Sequence, residues 1–425
     1  MKTSRNFTRL VLVGLSFSFV TFLPTHADQK DVEAAPGRAP DAFLLSATGS
    51  SQLSPAVAHN GHEFLVVWQD SLNAFADVTL RGTRVHEKGV PLDADGIEIS
   101  TGAYFPGPPA AASSGPDFLV VWSDNRNGIV AGADIYGTRV EGNGAVRDPA
   151  GFVISATNGF QGFPAVAGND DGYLVVWVDG RAFNPGGGYA LYGAKISRSG
   201  ESPIVEFKIT DTSANDSPAV AATADGYLVV WDDYRNSSAG AFRSSIYGAR
   251  VSNAGVLLDT MGFPISTEAG AAAQPAVAAS GDNYLTVWSD GRDVTNTANV
   301  WHIYGARVSQ SGRVLDPNGI QVSVAPGNQV NPAVAGNAQG WLAVWENVGK
   351  FFTPVTILGA LVHSDGRVQD EAIPISVGPT DAFQPAAAGG KHGDFLVVHP
   401  RVVSNGPPKQ YLMVGQFVSG NFDKK

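Results

Sequence analysis

The chain of 425 residues has no cysteine, few charged residues and only eight histidines. The missing cysteine excludes disulfides, thiolate metal sites and a lipid anchor, which needs a cysteine at its cleavage site. No GxSxG elbow and no SxDxGxTW box is present, so nothing in the sequence points to a serine hydrolase or a sialidase. Outside the N-terminus no apolar run approaches the roughly 20 residues of a membrane-spanning helix. Carboxylates outnumber cations, giving a formal charge of -11, or -14 once residues 1–27 with Lys2, Arg5 and Arg9 are removed. Such a surface repels phosphate backbones, so a nucleic-acid partner is not expected.

Residues 1–27 read as a signal peptide, with a basic start, the apolar run Leu10 to Leu23, and Thr25-His26-Ala27 as a small-residue cleavage site. Export to the periplasm, cell surface or medium is the expectation. Residues 28–41 form a polar, proline-containing lead-in that reads as a flexible tether. The remaining chain, 42–425, is built from one repeated unit.

A Pro-Ala-hydrophobic-Ala element recurs at Pro55, Pro109, Pro164, Pro218, Pro275, Pro332 and Pro385, at spacings of 53 to 57 residues. Each copy continues into a run such as FLVVW, which ends at Trp68, Trp122, Trp177, Trp231, Trp288 or Trp345, and at His399 in the last copy. A loop of variable length, an IYGARV-like segment, a short turn and an Ile-Ser segment complete the unit. These are strands, here lettered A to D: short, rich in Val, Ile, Tyr and Trp, and bounded by Gly, Asn and Asp. The LVVW run is apolar at consecutive positions, so both of its faces must be covered.

That predicts an all-β, seven-bladed β-propeller of four-stranded antiparallel blades, each sandwiched between two others. Residues 42–46 look like a D strand without its partners, and the last copy lacks a D strand after 411–418. Pairing the two would close the ring and remove two free edges. The prolines are expected at the first position of strand A. Each Trp is expected opposite the strand-C glycine, for example Trp122 opposite Gly137, and replacing Trp231, in a doubly buried strand, by Ala is expected to cost about 3–5 kcal/mol.

The repeats VVWSDNRNGIVAGADIYGTRV (120–140), VVWDDYRNSSAGAFRSSIYGARV (229–251) and TVWSDGRDVTNTANVWHIYGARV (286–308) resemble VVWxDxR…IYGxRV-type units of secreted bacterial repeat proteins. That group is taken to be propellers and has no single assigned function. Copies one, six and seven depart from the pattern, with Asp70-Ser71-Leu72, Glu346-Asn347-Val348 and His399-Pro400-Arg401.

Repetition supplies an internal control, because a residue in most copies serves the fold and one present once is free for function. Asp124/Arg126, Asp179/Arg181, Asp233/Arg235 and Asp290/Arg292 recur. They read either as turn caps, with each Arg stacked on the neighbouring blade, or as a ring of arginines around a ligand. The longer B–C and D–A loops share one face and carry single-copy aromatics: Tyr104, Phe105, Phe160, Phe183, Tyr189, Tyr234, Phe242, Trp301, Phe351, Phe352 and Phe383. Trp301 and His302 stand out, since no other copy has Trp or His just before its IYG segment. Candidate ligand-binding residues are therefore Trp301, His302, Tyr189, Phe183, Tyr234, Phe351 and the arginines Arg126, Arg181, Arg235 and Arg292.

His59 and His62 form an HxxH in a short turn of the opposite face, where a metal site is not expected. Asp93-Ala94-Asp95-Gly96 and Asp316-Pro317-Asn318-Gly319 lack the acidic ladder of a calcium loop and read as turns. No cofactor is expected. Two functional readings stand: a non-catalytic, monomeric scaffold that binds a glycan or protein, and a carbohydrate-active enzyme with its site in the propeller funnel.

Overall fold

The computed structural model describes residues 42–46, 50–71, 78–127, 132–184, 188–200, 204–210, 215–236, 244–266, 270–294, 300–323, 325–349, 353–376, 378–404, 409–420 and 422. They form seven four-stranded antiparallel sheets, and in six of them the strands lie in chain order from inside to outside. Blade 1 is Ser51–His59, Glu63–Ser71, Val78–His86 and Ile97–Ser100. Blade 4 is Asn215–Thr223, Gly226–Asp233, Ser245–Ser252 and Phe263–Pro264. The seventh blade takes three strands from the C-terminal part, Ala386–Gly389, Phe395–Ser404 and Gln410–Val418, and its outer strand, Phe43–Leu44, from the N-terminal part. Phe43 pairs with Gly415 and Leu44 with Val414, as closure of the ring requires.

The core is divided among the seams between blades. Leu174, Val176 and Val178 of blade 3 pack against Tyr227, Val229 and Trp231 of blade 4, while Leu228 and Val230 turn the other way, onto Tyr284 and Trp288 of blade 5. Seven such clusters exist, and the last joins Leu396 and Val398 of blade 7 to Phe64, Val66 and Trp68 of blade 1. Period-two alternation thus feeds two cores from one strand, which is why the LVVW-type runs are apolar, with Thr286 of blade 5 the polar exception before the closing residue.

Three expectations need correction. The prolines do not open strand A. In blades 2 and 7 strand A starts with the residue after the proline. In blades 1 and 3 to 6 it starts three or four residues before the proline, and the ladder slips at the residue pair ending in proline, as between Leu53 and Ala56 or between Val330 and Ala333. Proline is tolerated there because a bulge needs no ladder hydrogen bond from it. The Trp–Gly pairing is off by one. Trp122 lies opposite Tyr136, and Gly137 lies opposite Val121. Trp and Tyr therefore share a face and stack at 6.4 Å. The bare backbone that meets the indole belongs to Gly151 instead, at φ +71°, where a Cβ would stand 2.9 Å from Trp122 Cζ2. Gly137 leaves room for Ile154 of strand D, 2.9 Å from where its Cβ would be. The third correction concerns the arginines.

Candidate functional site: the channel mouth and its surroundings

At the end of strand B the recurrent Asp acts as a bracket. Asp233 accepts a hydrogen bond from Trp231 Nε1 at 2.8 Å, from the Arg235 backbone N–H at 2.8 Å and from Arg235 Nη2 at 2.6 Å. The guanidinium then lies 4.1 Å above the Tyr247 ring. Asp124, Asp179 and Asp290 do the same with Trp122 and Arg126, Trp177 and Arg181, and Trp288 and Arg292. Their guanidinium groups sit 3.9, 4.0 and 3.7 Å from Tyr136, Tyr192 and Tyr304. Each Arg thus stacks on its own blade, not on the next one, because the Asp two residues before it holds it over the tyrosine paired with the tryptophan. The hydrogen bond to Asp233 raises the Arg235 pKa against the cost of burial. These arginines are committed to the scaffold.

The cross-blade reach comes from other arginines, on strand C. Arg84, Arg139, Arg250 and Arg307 pair with Asp93, Asp148, Asp259 and Asp316 at 2.8–2.9 Å. Arg84 and Arg307 also donate to the carbonyls of Gly142 and Ser364 in the following blade, at 3.0 and 2.8 Å. Asp93 and Asp316 are therefore arginine partners in turns. Blade 3 breaks this series with Lys195, whose amine donates to Tyr227 Oη at 2.6 Å. Burial pulls Lys195 down to about 8, against the attraction of Asp171.

The long-loop aromatics separate into groups. Trp301 is half-buried, with its indole 3.1 Å from where a Cβ on Gly291 would stand, so it shields its own loop. His302 Nδ1 lies 2.7 Å from Gln329 Oε1. Tyr234 is half-buried just after strand B of blade 4. Phe383 meets Tyr411 edge-on at 5.4 Å. Phe160 makes T-shaped contacts with Tyr189 at 5.9 Å and Phe163 at 6.1 Å, and Tyr104 meets Phe105 at 4.8 Å. Phe183 belongs to strand Gly172–Asn184, but its side chain lies outside the described residues, as do Phe242, Phe351 and Phe352. On the opposite face His59 Nε2 is 3.3 Å from Glu87, which also faces His392 at 3.0 Å; among the described residues no three such groups converge on a metal position.

One ring of residues escapes the sequence reading. Ser54, Phe163, Ser217, Gln274, Asn331 and Gln384 each precede a repeat proline and hold φ between +49° and +56°. That region is uncommon for non-glycine residues. Here the bulge imposes it six times. The seventh position is Pro108, whose ring forbids positive φ. Five of these residues, Ser54, Ser217, Gln274, Asn331 and Gln384, line the mouth of the central channel. Six of the seven pairs, from Ser54-Pro55 round to Gln384-Pro385, line a pocket of about 360 Å³; the equivalent pair Phe163-Pro164 does not line it, and the Phe163 ring meets Phe160 edge-on.

The amide part of the ring is wired across blades. Gln384 Oε1 accepts from the Ser54 N–H at 3.1 Å, and Gln274 Oε1 from the Asn331 N–H at 3.3 Å and from Ser289 Oγ at 3.1 Å. Gln274 Nε2 donates to Asn331 Oδ1. Behind them Glu346 Oε1 accepts from the Gln384 N–H at 2.8 Å. Burial raises the Glu346 pKa, against hydrogen bonds from Gln384 and Asn331. A second buried carboxylate, Asp232, holds the corresponding place in blade 4. The signal was present in the sequence: the residue before each proline reads Ser, Pro, Phe, Ser, Gln, Asn, Gln, the one variable position beside an invariant one.

No sequence-family model matches the chain, and no curated protein matches it. Solved structures do match in shape. An acylaminoacyl peptidase from Pyrococcus horikoshii superposes with a TM-score of 0.51 at 10% identity, over 86% of this chain and 50% of that one. A puromycin hydrolase gives 0.51 at 14%, over 88% and 54%. An α-L-arabinanase from Penicillium chrysogenum complexed with arabinobiose gives 0.47 at 10%, over 89% and 98%. This chain therefore spans about half the length of the two hydrolases. At such identities the likeness is one of propeller fold alone.

Proposed function

We propose that this chain is an exported, non-catalytic binding propeller that holds a glycan or protein ligand at the channel mouth, on the long-loop face. The observation that carries this reading is the ring before the prolines. Its backbone is repeated blade after blade, while its side chains differ: Phe163, Ser217, Gln274, Asn331 and Gln384. A rigid frame presenting variable side chains is how binding surfaces are built. The arginines that would otherwise compete for this role are held by their own aspartates. The acidic charge argues against nucleic acid, and no helix among the described residues is long and apolar enough to cross a membrane.

The test is a combined glycan and peptide array, read for retention and for released product, with the parent chain, Phe163→Ser and the opposite-face control Asp365→Asn. Retention lost in Phe163→Ser alone, without product, is expected. Equal retention by all three removes the mouth as the site. Product release by the parent makes the chain a carbohydrate-active enzyme or a peptidase.

A further inference from the structure

We infer, resting on the reading that ligands meet the channel mouth, that the mouth takes the uncharged end of a sugar chain. Four features of the ring lead there. The first is charge. Arg126, Arg181, Arg235 and Arg292 each lie 2.6–2.8 Å from their own aspartate, and the ionisable groups behind the ring include the carboxylates Asp232 and Glu346. Arg401, in the bracket's Asp position of blade 7, donates to Thr380 Oγ1 and is outnumbered by these carboxylates, so an acidic ligand would find little counter-charge and would be costly to desolvate there.

The second is hydrogen-bonding type. The ring offers amides and hydroxyls: Gln274, Asn331, Gln384, Ser54 and Ser217. The amides are oriented before any ligand arrives, since Gln274 is set by Asn331 and Ser289, and Gln384 by Ser54. Neutral groups that both donate and accept match sugar hydroxyls, which do the same. The third is the aromatic. Phe163 is 41% exposed beside the pocket and not in its lining, and counting round seven blades its blade stands opposite those of Asn331 and Gln384. A ligand reaching from the pocket onto Phe163 needs one apolar face and a polar rim, and a pyranose or furanose has both.

The fourth is shape. The pocket of about 360 Å³ is walled by proline corners from six blades, so a chain enters it by its end, not along its length. A peptide fits less well. Extended peptides are held by unpaired main-chain groups of a sheet edge. In this ring the inward N–H groups of Ser54, Asn331 and Gln384 are already taken by side chains.

The experiment titrates the full chain with linear uncharged oligosaccharides of several linkages, matched uronate chains, cyclic glucans, chains O-methylated on the terminal unit, and a mixed peptide pool. We expect at least one uncharged linear series to bind. Uronate, cyclic and end-blocked forms should bind about tenfold more weakly or less, and Phe163→Ser and Gln384→Ser should each cost about tenfold, the scale of a single anchor residue. Serine stands at this position in blades 1 and 4, so both variants should fold. Equal binding by uronates overturns the charge argument, and equal binding by cyclic or end-blocked chains overturns recognition of an end. Peptide binding that Phe163→Ser abolishes overturns the sugar class but keeps the mouth. Sugar binding indifferent to both substitutions overturns the mouth itself. Failure of every sugar to bind overturns the sugar class.

Discussion

The Asp–Arg brackets and the ring before the prolines lie on neighbouring parts of one face, yet they are built on opposite plans. The bracket repeats its chemistry four times, down to the indole that donates to Asp124, Asp179, Asp233 or Asp290. The ring repeats its backbone conformation and changes its side chain. A bracket serves each blade in the same way, so every copy tolerates the same solution. The ring surrounds a single axis, so its seven positions need not agree. Blade 1 shows how firmly the bracket is kept. It lacks the arginine after strand B, but Arg81 takes the tyrosine's place opposite Trp68 and donates to the Asp95 carbonyl at 2.5 Å, much as Arg126 donates to Ala150 at 2.6 Å.

The comparison breaks most visibly at a tryptophan. Trp231 is fully buried in the seam between blades 3 and 4, so Trp231→Ala should cost about 3–5 kcal/mol, read by denaturant unfolding. A cost under about 1 kcal/mol, as for surface changes, would mean the seam is not the core. Next comes the bracket itself. Asp233→Ala strands the Trp231 N–H and the Arg235 guanidinium, and should cost about 2–4 kcal/mol while leaving ligand affinity unchanged. A matching loss of affinity at full stability would transfer the bracket from scaffold to site.

Blade 6 offers the reverse experiment. Asn347 stands in the Asp position there, and Trp345 Nε1 is buried without a hydrogen-bond partner. Asn347→Asp combined with Gly349→Arg rebuilds the bracket and should add about 1 kcal/mol, the net value of one recovered buried hydrogen bond. Destabilisation by the pair would show that blade 6 has packed around the gap.

Lys195 sharpens the contrast through pH. Unfolded, its amine keeps the proton to about the ordinary 10.5; folded, it loses it near 8. Between those values the unfolded chain binds more protons, so stability should rise with pH there. Lys195→Met should remove that rise, measured as the difference between the two chains from pH 8 to 9.5. A flat difference would mean that the amine is as well solvated as in the unfolded chain. The smallest effect belongs to the ring: Phe163→Ser should shift stability by no more than about 0.5 kcal/mol. A loss of several kcal/mol would make Phe163 a structural residue.

The blades and their closure could be read from the chain because both leave periodic marks: proline every fifty-odd residues, doubly apolar B strands and two complementary fragments. Register could not. Trp122 and Gly137 are separated by a loop of variable length, and a slip of one residue exchanges the faces of a whole strand. That slip decided whether the indole met Gly137 or Tyr136. The arginines were legible as structural through their recurrence, but their stacking partner depended on the same register. The mouth was hidden for a different reason. A positive φ at Ser54 or Gln384 has no signature in a non-glycine residue, so the position looked like an ordinary variable site. Trp301 drew attention through rarity, yet a rare aromatic beside glycine covers bare backbone as readily as it binds.

The closing blade also sets a clock. Gln52 Oε1 accepts a buried hydrogen bond of 2.7 Å from the Met413 N–H, between residues 361 positions apart, and the Phe43–Gly415 pairing joins strands still further separated. Contacts of that range carry a large loop-closure cost before they contribute anything, and they slow folding. Until the strand around Met413 has been made, Phe43, Leu44 and Leu45 have no sheet to join. The first segment of the propeller to leave the ribosome is thus among the last to find its place, and the nascent chain stays open, and threadable, through almost all of its synthesis.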